Sequence, residues 1–120
     1  MSELSKHLVL HYSKAIEALD ALNNLGADAI LFVVDESQKL IGSLTDGDIR
    51  RGLLKGISIE ENVKCFIQPN TKFINKSSYT ISQIIDFRNR NLKIIPVTDA
   101  NGVVHKTINF RHIKSYLPLD

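Results

Sequence analysis

The stretch of this 120-residue chain with the most chemical content is Gly42-Ser43-Leu44-Thr45-Asp46-Gly47-Asp48-Ile49-Arg50-Arg51. It reads as the end of a strand running into the start of a helix. Such a junction exposes backbone N–H groups and the positive end of the helix dipole, where a phosphate is favoured. Thr45 supplies a hydroxyl, the Asp48 carboxylate can accept from both hydroxyls of a ribose, and Arg50 and Arg51 add positive charge. Gly42 leaves room beside the strand for a flat base. The same Thr-x-x-Asp spacing is also that of a capping box, in which the two side chains only satisfy backbone donors. The pattern alone leaves both readings open.

The elements that would position these residues occur twice. Ala29-Ile30-Leu31-Phe32-Val33-Val34-Asp35 is echoed by Lys93-Ile94-Ile95-Pro96-Val97-Thr98-Asp99, so the chain reads as one unit written twice. Each copy has a short extended segment (Leu8-Val9-Leu10; Lys72-Phe73-Ile74), then a helix. Ile16, Leu19, Leu22 and Leu25, widened by Ala15, Ala18 and Ala21, form the first helical stripe, with Ser13 as its expected cap. Ile81, Ile84, Ile85 and Phe87 form the expected buried face of the second, with Ser78 as its cap. A β-hairpin follows, turning at residues 36–39 or 100–102, and a last helix closes each unit at roughly Asp46 to Leu54 and Phe110 to Tyr116. Residues 58–69 connect the copies: Ile57-Ser58-Ile59-Glu60-Glu61 can add a helical turn, and Pro69-Asn70 signals a bend. A β-α-β-β-α unit of this size is marginal alone, whereas two sharing a core are not.

Gly-x-Leu-Thr-x-x-Asp-Ile-Arg at residues 42 to 50, the Val-x-Asp strand ends at Val33-Val34-Asp35 and Val97-Thr98-Asp99, and the doubled unit together resemble the cystathionine-β-synthase-type (CBS) pair, or Bateman module. The resemblance runs from about Lys6 to Leu117 and is specific in its first half. It implies an α+β fold of two CBS repeats, residues 1–57 and 58–120, packed with pseudo-twofold symmetry. It further implies a regulatory module that binds an AMP-, ADP- or ATP-type nucleotide and has no catalytic residue of its own. Carried over by position, Thr45 contacts phosphate and Asp48 ribose, Arg51 adds charge beside them, and the base lies against Leu8, Ala29, Ile30 and Gly42. The wording Thr-Asp-Gly-Asp-Ile-Arg-Arg followed by Gly52-Leu53-Leu54-Lys55-Gly56 is similar to CBS pairs attached to bacterial sugar-phosphate nucleotidyltransferases and isomerases. A fused or associated catalytic domain and a homodimer are the implied partners. The alternative is a ligand-free dimerisation module of such an enzyme. Laying the second copy on the first puts Lys106, Asn109 and His112 at the Gly42, Thr45 and Asp48 positions. With the carboxylate gone, at most one nucleotide site per chain is expected, built on the first motif.

Composition restricts the remaining classes. Hydrophobic residues make up 43% and charged residues 23%, with a net charge of +2 and no long basic run, so nucleic acid is a poor candidate partner and a folded globular domain is expected. The single cysteine, Cys65, and the polar N-terminus point to the cytoplasm. No apolar run approaches the ~20 residues of a membrane span. His7 and His11 are spaced for metal ligation on a helix, but their segment alternates like a strand, and no metal is expected. His105 and His112 are expected in surface or capping roles. Asp46-Gly47-Asp48 lacks the remaining ligands of a calcium loop, and Gly47 to Gly52 lacks the Lys and Ser/Thr of a phosphate loop. No Gly-x-Ser-x-Gly elbow is present, and Cys65 is read as a small apolar filler.

Overall fold

A computed structural model describes residues 4–90 and 92–110. Among the described residues, two small three-stranded sheets and three α-helices make a mixed α+β fold, and the chain divides into two compact units between Thr71 and Lys72. Among the described residues, no helix is long and apolar enough to cross a membrane.

In the first unit, β1 (Leu8–Leu10) runs parallel to the central β2 (Leu31–Val34), which pairs antiparallel with β3 (Leu40–Leu44). All four residues of β2 are buried, as expected of an uninterrupted apolar run in a central strand. Helix α1 (Ala15–Leu25) buries Ala15, Ala18 and Leu22, and α2 (Asp46–Leu54) buries Ile49 and Gly52. Ala15, Ala18 and Leu22, at three- and four-residue steps, form the buried face of α1, and Leu31, Val33 and Leu44 join it in the core.

Ser13 does not cap α1. The N-cap position is Lys14, whose N–H donates to Glu17 Oε1 at 2.9 Å. The next two donors are taken by the connecting segment: Ala15 N–H donates to the Glu61 carbonyl at 2.8 Å and Ile16 N–H to the Ile59 carbonyl at 3.0 Å. With backbone carbonyls satisfying the helix start, no hydroxyl is needed there. The segment also sends Val63 and Phe66 into the core, carries a 3₁₀ turn at Val63–Cys65, and exchanges both backbone hydrogen bonds between Gln68 and Ser43 at 3.0 Å. The first compact unit thus runs beyond the 57/58 division of the repeat. Near residue 60 the expected turn is a single one, closed by Glu61 N–H to the Ser58 carbonyl.

In the second unit, β4 (Ile74–Asn75) lies parallel to β5 (Ile94–Thr98), which pairs antiparallel with β6 (Val104–Asn109); α3 (Ile81–Asn89) completes its core. The repeat holds at the level of register. Leu31↔Leu44, Phe32↔Ser43 and Val33↔Gly42 recur in the second sheet as Ile95↔Ile108, Pro96↔Thr107 and Val97↔Lys106, with the same irregularity at the next step. The edge strand is the exception, starting at Ile74 rather than Lys72. The Thr98 carbonyl accepts from Lys76 N–H at 2.8 Å, so the backbone of Pro96, two positions back, faces the same edge but has no N–H to offer.

Two further expectations are corrected. Thr80, not Ser78, caps α3, accepting from Gln83 N–H at 3.1 Å. On that helix only Ile84 and Phe87 are buried, while Ile81 and Ile85 are 59% and 43% exposed. At 100° per residue the buried arc centres between Ile84 and Phe87, leaving Ile81 and Ile85 about 90° and 130° round. Residues 111–120, which hold His112 and all but the first residue of the helix expected from Phe110 to Tyr116, lie outside the described residues.

Both hairpin turns are held by an aspartate. Asp35 Oδ1 accepts from the N–H groups of Ser37 and Lys39, each at 2.9 Å, and Asp99 Oδ1 from those of Asn101 and Val103 at 2.8 and 3.1 Å. The second turn places Gly102 at φ 85°, but the first places Gln38 at φ 65°. A side chain is unfavourable in that left-handed region, so Gln38→Gly is expected to stabilise the chain by about 0.5–1 kcal/mol after the entropic cost of glycine. A urea midpoint that failed to rise would contradict this.

Candidate functional site

The parallel pairing of β1 with β2 and the antiparallel pairing of β3 bring Leu8, the approach to Leu31 and the exit from Leu44 to one end of the first sheet. Leu8, Ala29 and Ile30 therefore share a sheet end with Thr45 and α2. His7, buried in the 3₁₀ turn Ser5–His7, donates from Nδ1 to the Ile30 carbonyl at 2.9 Å. It fixes the loop before β2, a role that no spacing in the sequence signals.

At the start of α2 the capping box forms in full. Thr45 N–H donates to Asp48 Oδ2 at 2.9 Å, and Asp48 N–H donates to Thr45 Oγ1 at 3.3 Å. The Thr45 hydroxyl donates in turn to Asp48 Oδ2 at 3.0 Å. Asp48 is 5% exposed, and its other oxygen, Oδ1, accepts from Arg51 Nη2 at 2.7 Å and from Gln68 Nε2 at 3.1 Å. Of the residues expected to bind, Thr45, Asp48 and Arg51 are thus joined in one network, with Gln68 as a member that spacing could not suggest. The amides of Asp46 and Gly47, the first two of the helix, have no acceptor among the described residues.

Gly42 is buried, but the room beside it is already used. A Cβ there would stand 2.7 Å from the Gln68 carbonyl oxygen and 3.1 Å from Ile67 Cδ1. The missing side chain lets the connecting segment close on β3. Beside Asp48 a concavity of about 160 Å³ is lined in part by Arg51, Lys55, Cys65 and Gln68. Binding sites for whole small molecules run to roughly 300–1,000 Å³, so this one fits a sugar or phosphate group. Cys65 is exposed at its rim rather than filling the core, because Val63 and Phe66 of the same turn are the residues that point inward.

The histidines have separate partners. His11 Nε2 lies 2.9 Å from Glu36 Oε1, and His105 Nε2 lies 2.8 Å from Asp99 Oδ2. These contacts hold the Glu36 and Asp99 carboxyls below their ordinary values, the imidazole hydrogen bond being the largest cause in each. In the second unit, Asn109 is buried at the end of β6, at the place Thr45 holds in the first, and Lys106 stands opposite Val97 as Gly42 stands opposite Val33.

Residues 9–55 match the family model of the CBS domain. A Helicobacter pylori (strain J99) protein is 35% identical over 78 residues, which cover 61% of this chain and 24% of that protein. The chain spans about a quarter of the length of the curated relatives it matches. Among solved structures, CbpB in complex with c-di-AMP has a TM-score of 0.76 at 16% identity, covering 89% of this chain and 73% of that one. CBSX2 in complex with AMP has a TM-score of 0.69 at 19% identity, covering 86% and 80%. At these identities the likeness is one of fold.

Proposed function

We propose that this chain, with a CBS domain at residues 9–55, is a regulatory module that senses an adenosine-type nucleotide and does no chemistry of its own. The observation that carries this is the junction after β3. It gathers a hydroxyl, a buried carboxylate, a guanidinium and two helix amides without an acceptor among the described residues at the sheet end that also holds Leu8, Ala29 and Ile30. In the proposed complex the phosphate meets Thr45, Arg51 and the amides of Asp46 and Gly47, the ribose meets Asp48, and the base lies toward Leu8 and Ile30. Structures of the same fold hold AMP and c-di-AMP, which supports the ligand class. The module works within the cytoplasm as part of a longer sugar-phosphate nucleotidyltransferase or isomerase, and pairs as a homodimer through exposed helix residues such as Ile16, Leu53 and Leu54.

The test is thermal denaturation of the chain with AMP, ADP, ATP, c-di-AMP, CMP and sugar nucleotides. A bound nucleotide at about 100 times its Kd is expected to stabilise the chain by about 2.7 kcal/mol. No shift with any of them at millimolar concentration would end the sensing role. A ligand-free dimerisation module would then stand in its place, a reading favoured by the full occupation of the Asp48 oxygens by the chain itself.

A further inference from the structure

An ionised carboxylate offers about four acceptor positions, and four donors already fill those of Asp48. The two on Oδ2, the N–H and hydroxyl of Thr45, belong to the helix start. The two on Oδ1, Arg51 Nη2 and Gln68 Nε2, arrive on side chains from the surface: Gln68 is exposed, and the Arg51 side chain is 60% exposed. A ribose held by Asp48 must therefore take Oδ1, since taking Oδ2 would undo the cap of α2.

We infer that Gln68 is a gate on Asp48, its side-chain amide occupying in the free chain the acceptor that a ribose hydroxyl takes in the bound one. This rests on the reading of Asp48 as the ribose acceptor. Three features make Gln68 the donor that leaves. Its 3.1 Å contact is longer than the 2.7 Å contact of Arg51, and its donor is a neutral amide where that of Arg51 is charged. Its backbone is secured separately, through both hydrogen bonds with Ser43 and the close approach to Gly42, so the side chain can swing out without loosening β3. It also lines the concavity beside Asp48, so its withdrawal opens the space a sugar would enter. The gate lowers affinity by the fraction of time it stands open. Gln68 is thus a positioning residue that sets the nucleotide concentration to which the module responds.

The experiment compares wild type with Gln68→Met, which keeps the length of the side chain and removes its donor, by calorimetric titration with AMP and with 2′,3′-dideoxy-AMP. A gate shut about nine-tenths of the time predicts roughly tenfold tighter AMP binding by the variant, and no gain for the dideoxy nucleotide, which has no hydroxyl to place on Oδ1. Gln68→Ala, expected to behave alike, and the retention by both variants of a wild-type circular dichroism spectrum and a cooperative urea transition at a modestly lower midpoint separate the gate from a general effect on the fold. Binding by a variant alone also supports the gate. Equal affinity would overturn it while leaving the sensing role intact, and weaker binding would make Gln68 a ligand contact instead. Binding by none of the chains removes the sensing role and the gate together.

Discussion

Gly52→Ala is expected to destabilise the chain by about 3 kcal/mol or more, at the upper end of what overpacking a core costs. Gly52 is buried in α2, and a Cβ built on it would clash with the edge of the Phe66 ring, at Cδ1 and Cε1. Neither partner has room to give. The helix is fixed by Ile49 in the core, and Phe66 is 4% exposed on a segment tied down at Ser13, Ser43 and the start of α1. Displacing the ring would open the core around Val63 and release the residues that hold Gln68 against Asp48. Since the chain has no Trp, urea denaturation followed by far-ultraviolet circular dichroism is the suitable readout. Gly52→Ala combined with Phe66→Leu should cost less than the sum of the two changes, because both act on one contact. Additive costs would show that the ring and the glycine do not meet.

Asp48→Ala is expected to cost about 2–3 kcal/mol. It removes the acceptor for Thr45 N–H, a helix-cap interaction of about 1 kcal/mol, and leaves the Thr45 hydroxyl and the Gln68 amide without their charged partner, where such hydrogen bonds contribute about 1.5–3 kcal/mol. The ion pair with Arg51 adds little, since that side chain is 60% exposed. Asp48→Asn keeps one acceptor oxygen for Thr45 and should fall between wild type and alanine. A loss under about 0.5 kcal/mol for Asp48→Ala would mean that the network does not support α2. Nucleotide binding should vanish in the alanine variant even where it remains folded, a result that capping alone would not produce.

These variants also separate what the sequence can announce from what it cannot. Helix α2 runs over Asp46–Leu54 as its punctuation suggests, because Thr45 and Asp48 carry the start signal locally. The hairpins follow from apolar runs broken by Asp-led turns, and the repeat survives to the pairing register because main-chain pairing tolerates changed side chains. The start of α1 is not legible at Ser13, since its acceptors come from Ile59 and Glu61, beyond the whole of the first hairpin and α2. The buried face of α3 is not legible either, because isoleucines at helical spacing say that one side is apolar without saying which arc meets the sheet. At the site, the roles of Thr45 and Asp48 in the cap are visible in their spacing. The Gln68 amide and the true neighbour of Gly42 are not, as both depend on a segment whose path has no periodic signature.

That path has a consequence for how the molecule is made. As the polypeptide leaves the ribosome, residues 15–25 emerge before the carbonyls of Ile59 and Glu61 that complete their first turn, and β3 emerges before its partner Gln68. The first unit therefore becomes whole only when Gln68 has cleared the exit tunnel. A gene fragment cut after Leu54 would encode every strand of the first sheet and still lack the clasp that closes it.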